Sequence, residues 1–338
     1  MTLNFIQADE SIKREWDEFV VSSPHGTIFH TWSWLKIVED HTRMKYLPLI
    51  AYRGADPVAL YPIFIRKVAI FNTAYSPPPG AYLLYLGPVI IDYHLKKQDK
   101  KESVFKELQE EIDRYLFENL RCKYARIRLS PGLSDSRPLR WCGYTPDPLY
   151  TYRINLSSGT EAVWQQFDRK LRVGINRAIK EGITVREGSK NDLMLIEDDL
   201  LRRRKEQGIK SPDHSKYLMD LFDKYKENMI IFLAYHQEKI VGNLVALKFK
   251  DIMYLWIGTP KSSLRGIYPN DLVQWEAIQR ACRDGLHWFE NMDGGDNPRL
   301  TVYKSKYNPE PVIWFSAEKY SSFLYKAGVK IIRRSSSN

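Results

Sequence analysis

The sequence is short of what metals, disulfides and membranes require. Its 338 residues hold three cysteines, Cys122, Cys142 and Cys282, an odd number at wide spacing that supports neither a disulfide framework nor a zinc site. No apolar run approaches the ~20 residues needed to cross a bilayer. The opening MTLNFIQADESIKREW lacks the apolar stretch of a secretory signal, so the expectation is a soluble cytoplasmic protein. HExxH, GxSxG and CxxC are all missing, which removes the usual signatures of zinc hydrolysis, a serine nucleophile elbow and dithiol redox chemistry. Seven histidines form no cluster; His25, His30 and His41 are neighbours without ligand spacing. No bound metal or cofactor is expected.

What is present begins with charge. Fifty-one Lys and Arg against forty-one Asp and Glu leave +10. That excess suits an anionic partner such as a nucleotide sugar, coenzyme A, tRNA or a membrane surface, and it equally suits a merely solvated basic surface. The length exceeds the usual single domain, so two domains are expected. In the first half, the apolar spacing predicts helices near 11–22 and in FHTWSWLKIVEDH, where Phe29, Trp32, Leu35 and Val38 recur at helical period. Strands follow at YLPLIAYR and PVALYPIFIRK, then a proline-bounded loop, the amphipathic helix KKESVFKELQEEIDRYLFENL and the strand KYARIRLS. In the second half, Ser158 and Glu161 are spaced as a capping box. They open one helix over 159–181 that Gly182 is placed to end. Two more helices, three consecutive strands, the helix beginning DLVQW, the strand LHWFENMDG and the run PVIWFSAEKY complete it. Each half repeats helices, antiparallel strands, helix, strand. The fold class is therefore α+β, with domains at 1–148 and 149–338.

Several of these segments resemble a known family. YRINL with VWQQFDRKLRVGINRAIKEGI, RRRKEQGI, YPNDLVQWEAIQRACRDGLHWFENMDGG and VYKSKYNPEP are similar to the FemABX aminoacyltransferases and their GNAT-like relatives, and FHTWSWLKIVED and SPPPGAYLLYLGPVI extend the likeness into the first half. The resemblance implies two tandem GNAT-like domains, mixed sheets flanked by helices. Long helical arms occur in some members, and no heptad stretch here is long enough for one. It further implies an N-acyltransferase that takes aminoacyl-tRNA or acyl-CoA as co-substrate. The amine it acylates would lie on a UDP-sugar peptide or lipid-linked cell-envelope precursor, with peripheral membrane contact. Acyl-CoA-dependent acetylation of an amino sugar or small amine, and non-catalytic nucleic-acid binding, are the competing classes.

Acyl transfer to an amine needs a deprotonated nucleophile and a positive pole for the carbonyl oxygen. Tyr303 and Lys304 match the family's aromatic-Lys pair, and Lys304 is the candidate for that pole. Lys306 would share its face if the segment were a strand. Asp293, at a strand end before two glycines, is a candidate amine-orienting base or a plain turn residue. The loop before the last long helix offers Arg265, Gly266, Tyr268 and Asn270 as donor contacts, with Asn270 also a candidate helix cap. One glycine, Pro269 and the charge of Asp271 make that loop a poor pyrophosphate nest. Arg203, Arg204 and Tyr217 are candidates for gripping a diphosphate, and Arg172 matches a family position. Lys36, beside Trp34, lies on the acceptor-side helix that the family implies. Tyr254 and Trp256 lie on one strand face and either line a cleft or pack in the core.

Overall fold

Alternating and continuous apolar runs become strands because only a sheet buries them without orphaning backbone groups. The computed structural model describes residues 3–258, 264, 266–293, 298–322 and 325–326. The chain divides into two compact units, the first made of the residues up to Leu149 together with those from Ile313 onward, the second of Tyr150–Val312.

The first unit runs β1 (Leu3–Gln7), α1 (Lys13–Ser22), α2 (Trp32–Thr42), β2 (Lys45–Arg53), β3 (Asp56–Val68), β4 (Phe71–Ser76), β5 (Val89–Ile90), α3 (Gln98–Asp113), β6 (Cys122–Arg128) and α4 (Arg137–Trp141). Its last strand, β13 (Glu310–Tyr320), comes from the far end of the sequence and pairs antiparallel with β6, Ser316 opposite Arg128 and Tyr320 opposite Tyr124. The sheet order is β1-β2-β3-β4-β6-β13, with β5 paired to β3. Along α3, Val104, Phe105, Leu108 and Ile112 recur at helical spacing and pack on Leu49, Tyr61, Ile63, Ala125 and Ile127 of the sheet. Trp16, Phe29 and Trp34 form a second buried layer with α1 and α2; Phe29 and Trp34 meet edge to face at 5.2 Å. Phe29 itself lies in the 3-10 turn Ile28–His30 that precedes α2.

The second unit runs β7 (Thr145–Asn155), α5 (Gly159–Gln166), α6 (Arg169–Lys180), β8 (Thr184–Glu187), α7 (Asp192–Glu206), α8 (Ser215–Tyr225), β9 (Met229–His236), β10 (Lys239–Phe249), β11 (Ile252–Gly258), α9 (Pro269–Arg283), β12 (Trp288–Asn291) and α10 (Pro298–Ser305). The sheet order is β7-β12-β11-β10-β9-β8, with β11 and β12 parallel and the other pairs antiparallel. Helix α9 is buried nearly all round, and α6 packs on it through Leu171, Ile175 and Ala178.

Three local expectations need correction. The single helix over 159–181 is two, because Phe167 is extended and the Asp168 side chain caps α6 by accepting from the Lys170 amide. Ser158 makes no side-chain cap bond, so the capping box does not form. The TVYKSKY segment is helical rather than extended, and Lys304 and Lys306 therefore do not share a face. Gly182 does end α6: at φ 79° its N–H bonds Ile179 O, and Ile183 N bonds Ala178 O. Among the described residues the longest helix is α3, 16 residues continued by six in π-helical geometry. None is long and apolar enough to cross a membrane.

Candidate active site

The β11–β12 ladder ends at Leu255 opposite Asn291, while β11 runs on to Gly258 paired with Leu244 of β10. A register shift between Val245 and Ala246 bends β10 at the same level. The two parallel strands thus part at their C-terminal ends, where open α/β-type sheets present ligand sites.

Lys304 stands at this opening. The C-terminal end of α10 carries it inward to 7% exposure, and its ammonium donates to the carbonyl oxygens of Met292 and Asp293, just past β12. Burial, only partly offset by Asp293 and Glu290, lowers its pKa from 10.5 to about 8. At neutral pH it is still mostly cationic. An ammonium has three N–H donors, and among the described residues the third has no partner. Asp293 sits at φ 62° with an exposed side chain and holds Lys304 through its backbone carbonyl.

Beside these candidates lies a cluster whose burial and mutual contacts no sequence signal gave. Asp271, in the first turn of α9, is 2% exposed. Tyr307 OH donates to its Oδ1 at 3.3 Å, and Lys306 Nζ is 4.0 Å from its Oδ2. Burial raises the Asp271 pKa against the opposing pull of Lys306, Tyr303 and Tyr307. Its charge is therefore turned into the core, away from the loop where the sequence made it an obstacle to a pyrophosphate. Tyr303 belongs to the same cluster, with its hydroxyl 3.4 Å from that of Tyr307 and Lys306 Nζ 4.8 Å from its ring. Lys306 also lies 5.9 Å from the ring of exposed Tyr268. On the facing strand, Asn291 is fully buried; its Oδ1 accepts from Gln274 at 3.0 Å, while its Nδ2 has no partner among the described residues. Asn243 Oδ1, on β10 beside the bulge, is likewise buried and unpartnered among them. A buried amide atom without a protein partner calls for another one, a water or a ligand group. Only isolated polar letters in apolar strands could have hinted at them.

The remaining candidates scatter. Arg265 lies outside the described residues. Gly266 adopts φ 71°, and Tyr268, not Asn270, precedes the first helical residue of α9; neither caps it by side chain, so the Asn270 cap is not realised. Arg172 bonds Gln165 at 2.8 Å. Arg203 and Arg204 occupy the last turn of α7, with Arg204 donating to Ser211 at 2.8 Å. Tyr217 is 1% exposed, so its ring packs α8 and has no surface to offer a diphosphate. Tyr254 and Trp256 are buried in β11, and burial raises the Tyr254 pKa. Lys36, on α2 of the first unit, pairs with Glu39 at 2.5 Å, which raises its pKa. A cavity of about 350 Å³ in the first unit, lined by Arg53, Asp56, Asp92, Lys96 and Lys100, contains none of these groups. Among the described residues no set of three or more His, Cys, Asp or Glu is arranged to hold a metal ion.

Residues 165–305 match the acetyltransferase (GNAT) domain family. No curated protein matches the sequence. Among solved structures, FemX superposes with a TM-score of 0.70 at 12% identity, over 92% of this chain and 96% of that one. L-PGS from Bacillus licheniformis gives 0.56 at 15% identity over 97% of each chain. A tandem GNAT protein from the clavulanic acid biosynthesis pathway gives 0.57 at 11% identity, over 95% and 99%. At such identities the likeness is one of fold. Residues 165–305, within the second unit, are thus similar to the acetyltransferase (GNAT) domain family, and the chain as a whole shares the fold of FemX and of the tandem GNAT protein.

Proposed function

We propose that the protein is an N-acyltransferase that moves an aminoacyl group from aminoacyl-tRNA to an amine on a UDP-sugar-linked or lipid-linked cell-envelope precursor. One observation carries the reading: a buried ammonium, Lys304, anchored by two backbone carbonyls with one donor left over, at the opening between β11 and β12. In the reaction the acceptor's neutral amine attacks the ester carbonyl. Negative charge gathers on the carbonyl oxygen, and the spare Lys304 N–H stabilises it in a site where water is scarce. The C–O bond to the ribose then breaks and an amide bond forms. The proton lost by the amine passes to the departing ribose hydroxyl. Tyr303 and Asp271 hold the floor on which α10 rests, and Asp293 positions the ammonium through its carbonyl.

A second reading, an acyl-CoA donor, is favoured by the inward turn of Asp271, which leaves the Gly266 turn without the acid that would repel a pyrophosphate. The deciding experiment measures transfer from charged tRNA and from acetyl-CoA to a UDP-linked peptide precursor, in wild type and in Lys304→Ala. The expected result is transfer from tRNA that falls by at least ~100-fold in the variant while the variant still unfolds in one cooperative transition. Wild-type turnover in a stable Lys304→Ala protein removes Lys304 from the mechanism. Transfer from acetyl-CoA alone makes the second reading the function.

A further inference from the structure

Helix α6 carries Arg169, Lys170, Arg172, Arg177 and Lys180 and no acid. Its buried stripe is Leu171, Ile175 and Ala178. At 3.6 residues per turn the opposite side presents Arg169, Lys170, Val173, Arg177 and Lys180, and all five are exposed. Cations on other exposed helices meet acids, as in Arg14–Glu18, Lys106–Glu110, Arg202–Asp199 and Lys216–Asp220. Among the described residues none of the α6 cations forms an ion pair, and Arg172 alone has a side-chain partner, the neutral Gln165. The acids nearest in sequence, Asp168 and Glu181, stand at the two caps, and Asp168 accepts from backbone. Like charges on one helix face repel, so this face is balanced by solvent ions or by a bound polyanion.

A second observation says where such an anion would lead. The Arg177 guanidinium lies against Gly266: a Cβ on that glycine would stand 3.6 Å from Nη1 and 3.8 Å from Nη2. Gly266, at φ 71°, belongs to the turn entering α9, whose N-terminus has no side-chain cap. The stripe therefore runs from the outer surface to the Gly266 turn that enters α9, the turn the sequence offered as a donor contact. From Arg169 to Lys180 it is about 16 Å long at ~1.5 Å per residue. One diphosphate occupies only the Arg177 end of that length. A nucleic-acid strand, with a phosphate every ~3.4 Å of axis, fills all of it.

We propose that the outward face of α6 is a track for the sugar-phosphate backbone of an RNA-borne donor, with Arg177 and the Gly266 turn gripping the phosphate nearest its acyl-bearing end. The track rests on the RNA-donor reading above. Its Lys and Arg side chains touch phosphates, not bases, so binding is indifferent to sequence and steep in salt.

The test measures the affinity of unfractionated, deacylated tRNA by fluorescence anisotropy between about 50 and 200 mM salt, for three proteins. These are wild type, the quadruple variant Arg169→Gln, Lys170→Gln, Arg177→Gln, Lys180→Gln, and a control that removes the same charge at Arg14, Lys106, Arg202 and Lys216. The expected result is a salt slope shallower by about 3 in the α6 variant, at roughly 0.7–0.9 for each phosphate no longer neutralised, and nearly unchanged in the control, with equal melting temperatures. Equal slopes in all three overturn the track while leaving an RNA donor in place. Equal losses in variant and control also overturn it, since bulk charge then explains the binding. If wild type ignores tRNA but coenzyme A raises its melting temperature, the track and the RNA donor fall together.

Discussion

At the scale of single residues, Lys304 can be separated from a merely structural lysine by its proton. Its pKa is about 8 in the folded chain against an ordinary 10.5, so between those values the unfolded state binds more protons. Stability then rises with pH across that window. Below pH 8 the full penalty of the buried charge applies, about 3 kcal/mol at 1.36 kcal/mol per pH unit. Lys304→Met removes that titration. The stability of wild type minus that of Lys304→Met should therefore climb by about 3 kcal/mol between pH 7.5 and 10.5, read by urea unfolding. A flat difference would mean that the ammonium is already well solvated, and it would weaken the case for a strained catalytic cation. Lys304 and Tyr303 were nameable as candidates because their local motif is present in the sequence. Asp271, Gln274, Asn243 and Asn291 were not, because what distinguishes them is burial, and an Asp in a helix's first turn or an Asn in a strand looks ordinary until its neighbours are known.

At the scale of elements, period alone located the long helices and the paired strands. The short strands β1, β4 and β8, at four to six residues, carried too little pattern to be seen, and the eight residues of α10 did not stand out as a helix. The harder case is β13, whose apolar run marked a strand but whose partner, β6, lies nearly 190 residues earlier. No local signal encodes a pairing at that separation. What pins it is chemistry at its end: Lys319 donates at 2.6 Å to Asp113, a mostly buried carboxylate that also accepts from Gln109 at 2.9 Å and Tyr144 at 2.8 Å. Burial already raises the Asp113 pKa despite that lysine. Lys319→Met leaves a buried carboxylate without its cation and should cost about 2 to 3 kcal/mol, less than for a fully enclosed pair because Lys319 is partly exposed. Adding Asp113→Asn should recover part of the loss. Additive losses in the double-mutant cycle would show that the two groups do not couple.

At the scale of the whole molecule, composition reported a net charge of +10 without its address, and α6 supplies five cations within twelve residues that form no ion pair among the described residues. The repeated order of elements suggested domains at 1–148 and 149–338; the chain takes another path, since the residues from Ile313 onward close the first unit. A protein ending at Val312 would lose β13 and leave β6 as a raw edge beside the core that Ala317 helps to seal. Limited proteolysis of that truncation should cut first within residues 3–149, at a rate many times that of the full chain. Unchanged resistance there would show that β13 is dispensable. The same topology sets a timetable during synthesis. At ~5–20 residues per second, β6 waits about 10 to 40 s after it is made before its partner strand β13 exists. Through that interval β6 presents an unpaired edge to every other nascent chain nearby. A strand made more than 180 residues later thus decides how long the edge of the first unit's sheet stays open to mispairing.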